Sequence, residues 1–193
     1  MRYSSEHKRQ TRERIVRAAS RQFRAKGGKG LAIGDLMEKL DLTHGGFYRH
    51  FGSKDQLFAE ALERGFEEAA ARLGKGIEAA PPGSELKRII ERYLSAEHCA
   101  NAADGCPFAA MMSEMSRYPR GLRVRIERAM RAHFKKIAKF LPGATGRERG
   151  QNCLILFSGM AGALNVARAA ANPEHRDAIL RSARAFYIKA FCE

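Results

Sequence analysis

Apolar residues in this chain recur every three to four positions from end to end, with no sustained period-2 alternation, so its fold must be built from helices packed on helices. An all-α architecture of about nine helices is expected. Ile15, Ala19 and Phe23 form one apolar stripe among eight basic residues over 7–26, and Gly27-Gly28 ends that helix. A short second helix over 34–40 turns Leu36, Met37 and Leu40 inward, and a third begins after Thr43 with Phe47 and Tyr48. Only Asp41-Leu42 separates them. Gly52 breaks the chain, and Ser53-Lys54-Asp55-Gln56 has the form of a capping box opening a helix over 54–73. The stretch 74–84, with Pro81-Pro82-Gly83, reads as a loop. Further helices are expected over 84–102, 107–117, 120–140, 147–171 and 174–191, separated at Gly105, Pro119, Pro142-Gly143 and Asn172-Pro173.

The net charge of +14 favours a polyanionic partner, nucleic acid or an anionic membrane. Residues 1–54 hold thirteen Lys and Arg against five acidic residues, so the excess is densest in the first quarter. The opening run Met1-Arg2-Tyr3-Ser4-Ser5-Glu6-His7-Lys8 lacks the apolar core of a signal peptide. The uncharged stretch 150–167 contains Gln151, Asn152, Ser158, Asn165 and three glycines, which suits a buried helix and not a lipid-facing one. A cytoplasmic protein with no membrane span is expected. Its four cysteines, none in C-x-x-C spacing, are then reduced and bind no zinc. No Ser-His-Asp set, phosphate-cradling loop or metal-ligand cluster stands out, so no enzyme, cofactor or metal is expected.

Two short helices joined by a tight turn inside a basic helical unit have the outline of a helix-turn-helix, whose second helix enters the major groove. Thr43 can cap that helix and leave its first N–H groups facing phosphates. Gly45 and Gly46 each cost about 1 kcal/mol of helix propensity relative to Ala, which close approach of backbone to DNA would offset. The run from Leu36 to Leu57, above all Tyr48-Arg49-His50-Phe51 followed by Ser53-Lys54-Asp55-Gln56-Leu57, resembles the DNA-binding signature of TetR-family regulators. The likeness is strong over 8–60 and elsewhere rests on length and helical layout. It implies a three-helix DNA-binding domain over 1–53 and a larger helical ligand-binding and dimerisation domain over 54–193. It also implies that Thr43, His44 and Gly45 open the recognition helix. Tyr48, His50 and Lys54 then meet the phosphate backbone, while Phe47 and Phe51 pack inside. Two positions depart from the pattern: Asp41 stands where a turn glycine is usual, and Ala32 where a Ser or Thr cap is usual.

The resemblance further implies a repressor that binds palindromic double-stranded operator DNA as a homodimer and is released by a small-molecule inducer, unspecified by sequence, or by cysteine modification. Ser158 with Gly162, and Gly159 with Ala163, place small residues four apart, which lets another helix approach, across a dimer or within the chain. The last two helices would build the dimer interface, with Phe186, Ile188 and Phe191 contributing. Met111, Met115, Phe134 and Phe157, with other apolar residues of the middle helices, either line a sensor cavity or form ordinary core. Cys106, just before a helix with proline at its first position, is either a reactive sensor thiol with Cys99 as resolving partner, or a small buried cap residue. The basic run from Arg120 to Lys139 is either a solvated face or a further anion contact. A nonspecific architectural DNA-binding protein would explain the charge but not the large apolar C-terminal part.

Overall fold

The structure is a computed structural model that describes residues 5–28 and 30–193. Met1 to Ser4, half of the polar opening run, and Lys29 lie outside the described residues. The described residues form ten helices: α1 (Ser5–Lys26), α2 (Ile33–Glu38), α3 (His44–Phe47), α4 (Lys54–Glu78), α5 (Glu85–Tyr93), α6 (Ala96–Ala100), α7 (Pro107–Met115), α8 (Arg120–Ala138), α9 (Gly146–Ala169) and α10 (Pro173–Cys192). The all-α expectation is met, with one helix more than expected. None is long and apolar enough to cross a membrane.

Two local differences have physical causes. Helix α4 continues past Gly74 to Glu78, because Leu73 and Ile77 pack on the C-terminal core while Gly76 lies directly against the Arg92 side chain of α5. A Cβ at position 76 would collide with that guanidinium, so glycine here serves helix packing and not a loop. The helix expected over 84–102 is two helices. The chain turns at Leu94, and Ser95 caps α6 by accepting the His98 N–H at 3.0 Å.

Two hydrophobic cores organise the chain. In the first, Ile15, Ala19 and Phe23 of α1 pack on Leu36 and Met37 of α2, on Phe47 and Phe51, and on Leu57, Phe58 and Leu62 of α4. Met111 and Met115 of α7 and Ile126 of α8 complete it. The second core joins α5, the far end of α8, α9 and α10 around Ile89, Ile90, Phe134, Phe157, Met160 and Leu180. Helix α4 takes part in both, its residues from Leu57 to Phe66 in the first and Leu73 and Ile77 against the second.

Polar ties cross from α1 to the C-terminal part. The fully buried Arg24 side chain donates to the Ala103 carbonyl at 2.6 Å, to Ser20 Oγ at 2.9 Å and to Glu68 Oε2 at 3.1 Å. Arg21 pairs with Asp104, and the Gly28 N–H donates to Glu114 Oε2 at 2.9 Å. The segment from Asn101 to Cys106 is thereby fastened to the first helix.

Candidate nucleic-acid interface and ligand cavity

The turn between α2 and α3 is made by Asp41, whose φ of 58° puts it in the left-handed region. A short polar side chain tolerates that conformation better than most. Ala32 occupies the N-cap of α2 with extended backbone and no side-chain hydrogen bond, forgoing about 1 kcal/mol that a Ser or Thr there supplies. Thr43 does cap α3, its Oγ1 accepting the Gly46 N–H at 3.3 Å. His44 and Gly45 follow on the open face. A Cβ on Gly45 would meet nothing within 4 Å, so internal packing gives no reason for glycine at that position. Any close approach it serves comes from outside the described residues.

Tyr48 is 64% exposed although its neighbour Phe47 is buried. Its ring stands 6.1 Å from that of His44, one turn earlier, so the two form a single outward-facing aromatic pair beside the exposed Arg49. Ser53 caps α4 by accepting the Gln56 N–H at 3.1 Å, and the Gln56 amide reaches back to the Gly52 N–H at 2.9 Å. Lys54 Nζ donates to the Leu31 carbonyl at 2.6 Å, which leaves two of its three ammonium hydrogens for an anion. His50 is half-buried, with Nδ1 shielded and without a partner among the described residues, and burial together with Lys8, Arg12 and Arg49 lowers its pKa. Of the six residues read from sequence, Thr43, His44, Gly45 and Tyr48 share the exposed face; Lys54 and His50 are turned partly into the fold.

Arg12 was not among the residues singled out in the sequence. It donates to the His50 carbonyl, pairs with Glu60 Oε1 at 2.7 Å and lies 4.2 Å over the Phe51 ring, so it locks the turn after α3. Arginine beside an apolar stripe is the only sequence signal, and α1 carries five other arginines.

A cavity of about 510 Å³ opens among α4, α5, α6, α8, α9 and α10, with the segment from Asn101 to Cys106 on its wall. Of the sensor residues read from sequence, Cys106 and Phe157 line it. Phe134 stands one layer behind, its ring 5.0 Å from that of Phe157. Met111 and Met115 belong to the core beneath α1 and α4 and not to the cavity wall. Periodicity showed that both were inward-facing but not which core they enter.

Cys106 sits at the N-cap of α7, where the N–H groups of Phe108 and Ala109 favour its thiolate, but burial prevails and raises its pKa. The sequence marks the helix end, whose field favours a thiolate, but not the desolvation that outweighs it. His98 Nδ1 bonds the Tyr93 carbonyl at 2.6 Å and its Nε2 accepts the Cys106 N–H at 3.1 Å, which fixes a neutral tautomer. Burial lowers the His98 pKa to about 4.

On α9 and α10 the small-residue pairs divide. Gly159 lies against the Tyr187 hydroxyl and Ala163 packs on the C-terminal core, so both serve packing within the chain. Ser158 and Gly162 stay exposed and continue a stripe with Ile155 and Val166, which are 62% and 59% exposed; Phe186 of α10 is 65% exposed. Ile188 and Phe191 are half-buried against the core.

Comparison with known proteins agrees with this geometry. Residues 15–61 match the family of bacterial regulatory proteins called the tetR family. An HTH-type transcriptional regulator from the lacX 3' region of Lactococcus lactis subsp. lactis is 27% identical over 146 residues, 75% of this chain and 74% of that protein. The HTH-type regulator YfiR of Bacillus subtilis is 31% identical over 75 residues, a match that spans 37% of that protein. The crystal structure of a TetR-family regulator from Cytophaga hutchinsonii superposes with a TM-score of 0.75 at 20% identity, covering 95% of this chain and 96% of that one. With the signature segment and the turn geometry in agreement, residues 15–61 form a DNA-binding segment of the tetR family of bacterial regulatory proteins, and the helical frame around them has the fold of such regulators.

Proposed function

We propose that this chain is a cytoplasmic homodimeric repressor that reads a palindromic operator and leaves it when a small molecule fills the cavity. Residues 1–53 act as the DNA-binding unit and 54–193 as the ligand-binding and dimerisation unit, with α4 shared between them. The observation that carries this reading is the outward pair His44 and Tyr48 on a capped helix whose Gly45 leaves open space. A phenol and an imidazole both donate to phosphate oxygens, and His44 also reaches base edges in a major groove. Lys54 adds a phosphate contact from its remaining donors, and His50 a neutral ring at the rim.

One recognition helix covers too little DNA for specificity, so two copies must be paired at a fixed spacing. The stripe of Ile155, Ser158, Gly162 and Val166 with Phe186 is the surface that suits this pairing. Release follows from the Asn101–Cys106 segment, which walls the cavity and is tied to α1 through Arg21 and Arg24. A ligand that shifts this segment moves α1, and with it the spacing of the recognition helices. Cysteine modification is the weaker signal, because Cys106 is buried and its thiol is held protonated.

Replacing Ile155 and Phe186 together by Glu places charges in the paired surface and is expected to give a folded monomer in light scattering. Duplex affinity should fall by about 100-fold or more as the second half-site is lost. A variant that stays dimeric, or a monomer that binds DNA as tightly as wild type, would contradict the assignment of this face.

A further inference from the structure

We propose that the cavity takes a small organic carboxylate with an apolar body. This rests on the reading of the cavity as the sensory site and adds the chemistry of its ligand. Three polar atoms of the wall, Tyr93 Oη, Arg72 Nη2 and His133 Nδ1, are buried without a hydrogen-bond partner among the described residues. Buried polar groups are almost always satisfied, so the two donors among them, Tyr93 Oη and Arg72 Nη2, mark the place of a missing acceptor, while Nδ1 of the neutral His133, whose ring donates to the Phe66 carbonyl, is left as an acceptor. Tyr93 is only 7% exposed, and its hydroxyl lies beside the Cys106 thiol, a weak hydrogen-bonding group that leaves the O–H available to a ligand. Its hydroxyl and the Arg72 guanidinium are donors of the kind that a carboxylate accepts, the second with charge assistance.

The charge balance of the wall points the same way. Arg88 pairs with Glu91 and Asp104 with Arg21. Arg72, Arg92 and Arg184 then face the cavity with no ion pair among the described residues, against the exposed Glu97 alone. His98 and His133 are neutral at ordinary pH, since burial lowers both pKa values to about 4, and they add no charge. Leu73, Ile89 and Phe157 supply the apolar part of the lining. A cationic ligand would meet three uncompensated guanidinium groups, and a neutral one would leave them unpaired.

The test uses full-length protein and matched probes: benzoate and hexanoate as carboxylates, benzamide as the uncharged isostere and benzylamine as the cation. Calorimetric titration should show the carboxylates binding about tenfold or more tightly than benzamide or benzylamine. Arg72→Gln and Tyr93→Phe should each weaken the carboxylates by about 10- to 100-fold while circular dichroism stays native. If Arg72→Gln fails to fold, Arg184→Gln, on the last helix, reads the same charge. The inference is overturned if no carboxylate binds, if benzamide or benzylamine binds as well, or if the folded variants bind unchanged. Duplex binding measured alongside separates it from the regulatory reading. Carboxylate binding without loss of DNA affinity would leave the anion preference standing and remove ligand-driven release. Duplex binding with no carboxylate binding would do the reverse.

Discussion

Arg24→Met lowers the unfolding free energy by about 3 kcal/mol, the lower end of what breaking a buried charged pair costs. The guanidinium is fully buried and serves three acceptors at once: the Ala103 carbonyl, Ser20 Oγ and Glu68. Methionine keeps the apolar stem but leaves those acceptors short of a donor. Glu68 retains Arg64, whose Nε lies 3.1 Å away, so the carboxylate is not stranded and the upper end of the range is not reached. Urea denaturation followed by circular dichroism reads the loss. Arg21→Met provides the contrast, because its pair with Asp104 is half-exposed and should cost less than about 1 kcal/mol. Equal midpoints for Arg24→Met and wild type would mean that this link between α1 and the cavity segment carries no stability.

Tyr48→Ala lowers duplex affinity by about 10- to 100-fold and leaves the denaturation midpoint within error of wild type, since a hydrogen bond to a charged group contributes about 1.5–3 kcal/mol. The separation of the two readouts follows from exposure. Tyr48 is 64% open to solvent, and its hydroxyl makes no hydrogen bond among the described residues. Lys54 cannot be tested as cleanly: Lys54→Met removes a phosphate donor and also the tie to the Leu31 carbonyl, so stability and DNA affinity fall together. Tyr48→Phe isolates the hydroxyl. Filter binding or fluorescence anisotropy across a salt series checks both. A loss in Tyr48→Ala that is absent in Tyr48→Phe would assign the effect to ring packing against the sugar-phosphate surface and not to donation.

Helix positions were legible where capping and apolar spacing coincide. Thr43 and Ser53 cap the helices they were expected to cap, and the stripe Ile15, Ala19, Phe23 is wholly buried. Gly76 was misleading because a glycine required by a neighbouring side chain looks, in one dimension, like a glycine required by a turn. The exposed end of α3 was readable because its chemistry is local: cap, glycine and aromatic fall within six residues. The cavity was not. Its wall draws residues from six helices and a loop, and Arg72, Tyr93 and His133 come together only through packing of α4, α5 and α8. Met111 and Met115 show the same limit from the other side, since an inward-facing residue on α7 has two cores to choose between. Cys106 shows it for electrostatics, because the helix end is visible in sequence while the burial that outweighs it is not.

Selection of bound duplexes from a random-sequence pool at moderate salt tests the DNA-reading assignment most directly. The wild-type chain should recover an inverted repeat whose half-site centres lie one helical turn, roughly 34 Å, or a multiple of it apart. Recovery of sequences no different from the starting pool would contradict it, because charge alone binds every duplex alike.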